Sequence, residues 1–230
     1  MITLHQFQIS PFCDKVRRIL HWKGLDYRIQ EVPLARALTV RRINPIGKLP
    51  CLEHDGRFVA DSTDIAYYLE EKFPEPPILP KDPQQRALCH VLDDWADESL
   101  YFYEMRLRFT LPQNARRWIP ELVHADPGVV KSLAPRLIPG MMRRLTRKQG
   151  VGRKSVRQVL DDVERHVDAL AALLGDGDWL VGDALSLADL SVCAQIRCIR
   201  GAEEGARIIE ARPAVVAWIE RVEASTAKPV

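Results

Sequence analysis

Residues 2–32 read ITLHQFQISPFCDKVRRILHWKGLDYRIQEV, and the order of patterns in this stretch decides the fold. Ile2 to Ile9 alternates and is rich in β-formers, which predicts a strand. Ser10-Pro11 then opens an amphipathic run through Val16, Ile19, Leu20 and Trp22 to Leu25, with Gly24 as the helix stop. Tyr27 to Val32 is a second short β-prone run. Two strands joined by one helix make a βαβ unit, and its strands pair in parallel.

Working outward, Leu34 to Ile43 is weakly helical or irregular. Leu49 to Glu53 and Phe58 to Ala60 flank His54-Asp55-Gly56-Arg57, and Asp-Gly between β-prone runs predicts a hairpin. Ser62 precedes a helical run through Ile65, Ala66, Leu69 and Phe73. Residues 73–83, FPEPPILPKDP, hold too many prolines for a helix or central strand and read as a linker. Beyond it the spacing is helical over 85–110, 128–148, 155–174, 186–200 and 213–224. The expectation is an α/β domain over 1–76, a linker over 77–84 and an all-helical domain over 85–230. Ser186-Leu-Ala-Asp189 reads as a capping box, with Leu185 and Leu190 placed for a hydrophobic staple.

A chain of 230 residues with 47% hydrophobic and 28% charged residues can bury a sizeable core. With 33 Lys and Arg against 31 Asp and Glu, the net charge of +2 gives no reason to expect nucleic acid, and no nucleic-acid motif is present. No stretch approaches the length of an apolar membrane span, and MITLHQFQIS lacks the pattern of a signal peptide, so a cytoplasmic protein is expected. Cys13, Cys51, Cys89, Cys193 and Cys198 are scattered without a CxxC pair, so neither a disulfide framework nor a metal site is signalled.

Three segments carry chemistry. Ser10-Pro11-Phe12-Cys13 stands at a strand-to-helix junction, where free N–H groups and the helix dipole favour a negative charge such as a thiolate. Ser10 can donate its hydroxyl to a bound thiolate. Cys13 can instead be the nucleophile, helped by Lys15, Arg17 and Arg18 and opposed by Asp14. Ser and Pro are also preferred at these positions simply as a helix start, and a lone helical Cys is usually inert core. Asn44-Pro-Ile-Gly-Lys-Leu-Pro50 puts an extended residue before a strand-initial proline, where a cis Leu49-Pro50 bond would offer backbone groups to a peptide-like ligand. Asp61-Ser62 opens the next helix; together they suit an α-amino acid head group, or Ser62 merely caps the helix.

These motifs resemble the cytosolic glutathione S-transferase superfamily across essentially the whole chain. Ser10-Pro-Phe is similar to the active-site start of tau-class members, and Ser10-Pro-Phe-Cys13 to that of omega-class ones with Ser in place of the first Cys. Asn44 to Pro50 resembles the family's cis-proline segment, Asp61-Ser62 its acidic-Ser pair, and Leu180 to Asp189 its C-terminal capping box. The resemblance implies a thioredoxin-like N-terminal domain, a helical bundle, a homodimer, and glutathione as co-substrate without a metal. It implies Ser10, with Phe12 beside it, at the thiolate, and Leu49-Pro50 at the cysteinyl backbone. Asp61 and Ser62 would take the γ-glutamyl end, and Lys48 with Arg36 the glycyl carboxylate. A small electrophile would sit between the domains, against Tyr101, Tyr103 and Arg106. The implied activity is glutathione transfer. A Cys13-dependent thiol/disulfide oxidoreductase and a non-catalytic binding protein are the alternatives. Asp64 departs from the family, which more often has a small or apolar residue there.

Residues 106–157 hold thirteen Lys and Arg against Glu121 and Asp126, a net +11 that leaves −9 for the rest of the chain. The late position of the capping box suggests an extra helix and loops inserted here, broken by Pro112, Pro120, Pro127, Pro135 and Pro139. Such a surface fits a solvated or dimer-facing role, an anionic substrate, an acidic partner or a lipid surface.

Overall fold

In the computed structural model, which describes residues 1–227 apart from the side chains at 37 and 38, the N-terminal alternation forms β1 (Ile2–Gln6), with Ile2, Leu4 and Gln6 turned inward. Ser10 caps α1 (Pro11–Trp22), and Gly24, at φ +62°, lets the chain leave it. β2 (Tyr27–Glu31) then pairs in parallel with β1, as the βαβ reading requires. β3 (Cys51–His54) runs antiparallel to β1 and to β4 (Arg57–Ala60), giving the sheet order β2-β1-β3-β4. Asp55 and Gly56 both have positive φ, +50° and +82°, which suits the right-handed twist of a two-residue hairpin. α2 (Ser62–Lys72) follows.

The stretch Leu34–Arg42 is a run of 3-10 helix with no cap from its own neighbours. Its first two free N–H groups, of Leu34 and Ala35, donate to the buried Asp126 carboxylate at 2.9 and 2.7 Å. The proline-rich stretch after α2 forms neither helix nor strand, but it is packed rather than free. Ile78 and Leu79 are buried, and Lys23 donates to the carbonyls of Phe73 and Pro76.

Beyond that stretch the described regular elements are helices: α3 (Pro83–Trp95), α4 (Tyr101–Thr110), α5 (Pro112–Leu122), α6 (Gly128–Gln149), α7 (Val156–Leu174), α8 (Leu187–Arg200), α9 (Glu203–Glu210) and α10 (Pro213–Ser225). The single helix expected over 85–110 is divided by a wider turn at Ala96–Leu100 with π-type bonding. α5 and α9 escape the periodicity reading because one is proline-bounded with Pro120 inside it, and the other is only 8 residues long. The prolines of the basic segment start α5 and α6 or sit within them; α6 runs through Pro135 and Pro139 for 22 residues.

One hydrophobic core joins Leu4, Val16 and Ile65 to Leu92, Leu100, Val192 and Trp218, so the sheet side and the helical side pack as a continuous interior. A second core belongs to the inserted helices: Met105, Phe109, Ala115, Ile119, Val123, Ala134 and Ile138, with Ile9, Leu34 and Tyr101 against it. The capping box at α8 is more elaborate than a local cap. The fully buried Asp189 accepts from Ser186 N and Oγ at 2.9 and 2.8 Å, from Leu180 N at 2.8 Å and from Trp218 Nε1 at 2.9 Å. Ser186 therefore donates its hydroxyl to Asp189 within the capping box that its position predicts. Asp189→Ala would leave buried donors unpaired, so a loss of roughly 3 kcal/mol or more is expected from the denaturation midpoint.

Candidate active site

The expected segments line one cavity of about 600 Å³ between the sheet side and α3–α4. Phe7 and Ile9 to Phe12 form one wall, Gly47 to Pro50 and Asp61 to Asp64 a second, and residues between His90 and Phe109 a third. Ser10 Oγ accepts from Cys13 N at 3.4 Å, which leaves its own hydroxyl proton for another acceptor. The Leu49-Pro50 peptide is cis, and both residues face the cavity beside Lys48. Asn44 shapes that loop, donating to Lys48 O at 2.6 Å and accepting from Ile46 N at 2.9 Å.

Cys13 lacks the surroundings of a reactive thiol. Its side chain is fully buried, lies outside the cavity lining, and burial pushes the thiol up to about 11; the Ser10 contact and the Arg17 charge oppose that without reversing it. The cations counted in its favour are engaged elsewhere. Lys15 pairs with Asp93 and Asp97, and Arg17 and Arg18 both pair with Asp14. First-turn position alone did not reveal which way the side chain turns.

The α2 start is held by charge. Asp61 adopts φ +73°, a conformation L side chains rarely hold, and caps the helix through Thr63 N at 2.9 Å. Ser62 is buried and donates to Asp97 Oδ2 at 3.4 Å. Beneath them Lys15 Nζ, 1% exposed, reaches Thr63 Oγ1 at 3.0 Å, Asp93 Oδ1 at 2.5 Å and Asp97 Oδ2 at 2.9 Å. Burial raises the Asp97 carboxyl to about 6 despite Lys15, with Asp93 adding to the rise. Its other oxygen, Oδ1, is buried without a partner, and Asp97 lines the cavity. This end of the cavity, with Asp61, Asp94 and Glu98 also in its lining, is acidic.

Of the expected substrate contacts only Tyr101 lines the cavity; its ring meets Phe12 edge-on at 4.8 Å, and burial keeps its hydroxyl protonated. Tyr103 is buried on another face and donates to Asp162 at 3.0 Å. Arg106 donates to Thr110 and stands near the positive charges of Arg143 and Arg147. Residues two apart on a helix point in nearly opposite directions, so Tyr101 and Tyr103 cannot share one wall. Arg36 is exposed and outside the lining.

Several lining residues were missed from the sequence: Asp97, Met105, Arg108, Phe109, Leu122 and Met142. Asp93 and Asp97, one turn apart in an otherwise amphipathic run, were the available signal for the charged group. Arg108 is 1% exposed, donates to Glu104 at 3.0 Å and to the Ile9 carbonyl at 3.4 Å, and stacks 4.1 Å over Trp118. It thus fixes the residue preceding Ser10. The arrangement offers a hydroxyl at a helix N-terminus, an anionic recess on one side, Lys48 on the other, and an apolar hollow in front.

The family described as Glutathione S-transferase, N-terminal domain, matches residues 4–77, and Glutathione S-transferase, C-terminal domain, matches residues 153–221. Glutathione S-transferase 1 of Dianthus caryophyllus is 46% identical over 91 residues, so the chain spans only 41% of that relative. Isoprene-epoxide–glutathione S-transferase of Rhodococcus sp. strain AD45 is 27% identical over 96% of this chain and 98% of that protein. The solved structure of the β-etherase LigF from Sphingobium sp. strain SYK-6 is similar with a TM-score of 0.68 and 25% identity, covering 97% of this chain and 95% of that one.

The buried, high-pKa Cys13 yields a direct expectation. In the native protein at pH 8 it should resist alkylation by iodoacetamide while denaturant restores rapid labelling, as read by peptide mass spectrometry; fast native labelling at Cys13 would reinstate it as a nucleophile.

Proposed function

The chain belongs to the glutathione S-transferase superfamily, and on that premise we propose that it transfers glutathione to an apolar carbon electrophile held against Phe12 and Tyr101. Glutathione is the co-substrate. The observation that carries the reading is a hydroxyl, not a thiol, at the α1 N-terminus facing an apolar hollow, with Cys13 turned into the core. A disulfide-exchange reaction would need a protein sulfur at that place.

The residues fit the tripeptide. Asp97 Oδ1, buried and unpartnered, and Asp61 suit the γ-glutamyl ammonium, and Ser62 suits its carboxylate. Leu49, at the cis bond, suits the cysteinyl backbone, and Lys48 the glycyl carboxylate. Ser10 then donates its hydroxyl to the sulfur and, with the α1 dipole, favours the thiolate over the thiol. Phe12, Tyr101, Met105, Phe109 and Met142 keep water from the reacting carbon. One relative is named for an epoxide and one for an ether, which supports a carbon–oxygen electrophile as the substrate class. The sulfur–carbon bond forms as the carbon–oxygen bond breaks, and the departing oxygen takes a proton from solvent. Tyr101, kept protonated by burial, is an O–H donor to that oxygen.

Two outcomes are expected. Ser10→Ala should lower kcat for a model epoxide roughly a hundred-fold with glutathione affinity little changed, measured by steady-state kinetics and calorimetry; full activity would refute the role. Asp97 must be ionised to hold the ammonium, and its carboxyl titrates near 6. Glutathione affinity should therefore rise with pH through about 6 and fall below it. Asp97→Asn should flatten that dependence and weaken binding roughly ten-fold.

A further inference from the structure

We propose that the outer face of α6 docks onto an anionic lipid bilayer. α6 lies wholly outside the two stretches that the family descriptions match, so this property goes beyond the transferase reading and does not depend on it. Its inner face is used: Ala134 and Ile138 are buried in the second core, with Val130 and Met142 partly buried against it. One residue earlier in each turn stand Val129, Leu133, Leu137, Met141 and Leu145, exposed by 73, 46, 57, 61 and 42%. Side chains four apart form a line along a helix, so these five make a continuous aliphatic stripe about 24 Å long.

The same helix carries Lys131, Arg136, Arg143, Arg144, Arg147 and Lys148, all exposed, and no acidic residue. None of the six is ion-paired among the described residues, and the helix as a whole holds a charge of +6. A stripe of free aliphatic chains bordered by unpaired cations matches the two layers of an anionic membrane surface. The aliphatic groups meet the acyl boundary and the cations meet the headgroups.

Charge and shape decide against the other occupants. A second copy seated face to face would bring two +6 helices together. An acidic protein would satisfy the charge, but protein-binding surfaces concentrate their energy in aromatic anchors and pockets, and α6 has no Phe, Tyr or Trp and presents a convex line. The placement is consistent with an apolar second substrate: Met142, on the inner side of the same helix, lines the cavity. Docking would bring that wall to the surface in which apolar electrophiles dissolve.

Flotation of the full chain with vesicles tests this, using pure phosphatidylcholine against a 7:3 mixture with phosphatidylglycerol, at low and high salt. At least ten-fold more protein should float with the anionic vesicles. Two variants should each lose most of that binding while keeping the wild-type melting temperature: Leu133→Ser with Leu137→Ser, and Arg143→Glu with Arg144→Glu. No flotation of the wild type overturns the proposal. Flotation that survives the serine variant also overturns it, because adsorption would then be electrostatic only. Retention on polyglutamate without vesicle binding would point to an acidic protein instead. A dimer in sedimentation velocity that the serine variant dissolves would assign the stripe to a second copy; either result refutes lipid docking.

Discussion

A buried lysine with two carboxylates sets the geometry on which the rest of this molecule depends. Lys15 leaves α1 on the face opposite solvent and meets Asp93 of α3 and Asp97 of the wider turn that follows it, with Thr63 from α2 and Ser191 from α8 bonded into the same knot. An ammonium this deeply buried is tolerable only when fully paired, and truncating a partner of such a pair typically costs about 3–5 kcal/mol. The knot therefore specifies one docking of the sheet side on the helices. Three features of the cavity follow from it: the Ser10 cap is fixed by α1, Ser62 by α2, and Tyr101 by α4, which follows the Asp97 turn. The Asp97 carboxyl faces both ways, holding Lys15 with one oxygen and leaving the other unpartnered beside the cavity.

The inserted helices act on the site through a second, separate set of contacts. Asp126, one of two acids in the basic segment, caps the 3-10 run whose Leu34 and Val40 line the cavity. Arg108 reaches from α4 to the Ile9 carbonyl, and Leu122 and Met142 complete the apolar wall. Both contacts lie on residues that the family descriptions leave unmatched, between 78 and 152. The proposed glutathione contacts thus come from both parts, Ser10, Lys48, Leu49, Asp61 and Ser62 from the matched stretch and Asp97 from the unmatched one, while most of the apolar wall comes from the unmatched one.

Much of this was legible in the sequence where local chemistry dictates structure. Ser10-Pro11 starts a helix, Asp55-Gly56 turns a hairpin, and the strand–helix–strand order forces parallel pairing; each follows from backbone sterics or capping within a few residues. The βαβ-ββα unit followed by helices was readable for that reason. What failed to read out was direction and distance. Cys13 shares the first turn with a functional junction yet points inward, and Tyr103 lies two residues from Tyr101 yet on another face. Arg106, one turn before Thr110, bonds to it rather than to the cavity. Asp97 and Arg108 owe their importance to partners 82 and 99 residues away, and no local pattern encodes such a pairing.

On the proposed function, the α1 N-terminus and the Ser10 hydroxyl, with no protein thiol involved, make bound glutathione a thiolate near neutral pH. An ultraviolet pH titration of the thiolate absorbance in the binary complex tests it most directly, run on the wild type and on Cys13→Ser. The bound thiol should ionise at least one unit below the usual thiol value of about 8.5, identically in both proteins. An unshifted thiol in the wild type, or a shift that vanishes with Cys13→Ser, would contradict it.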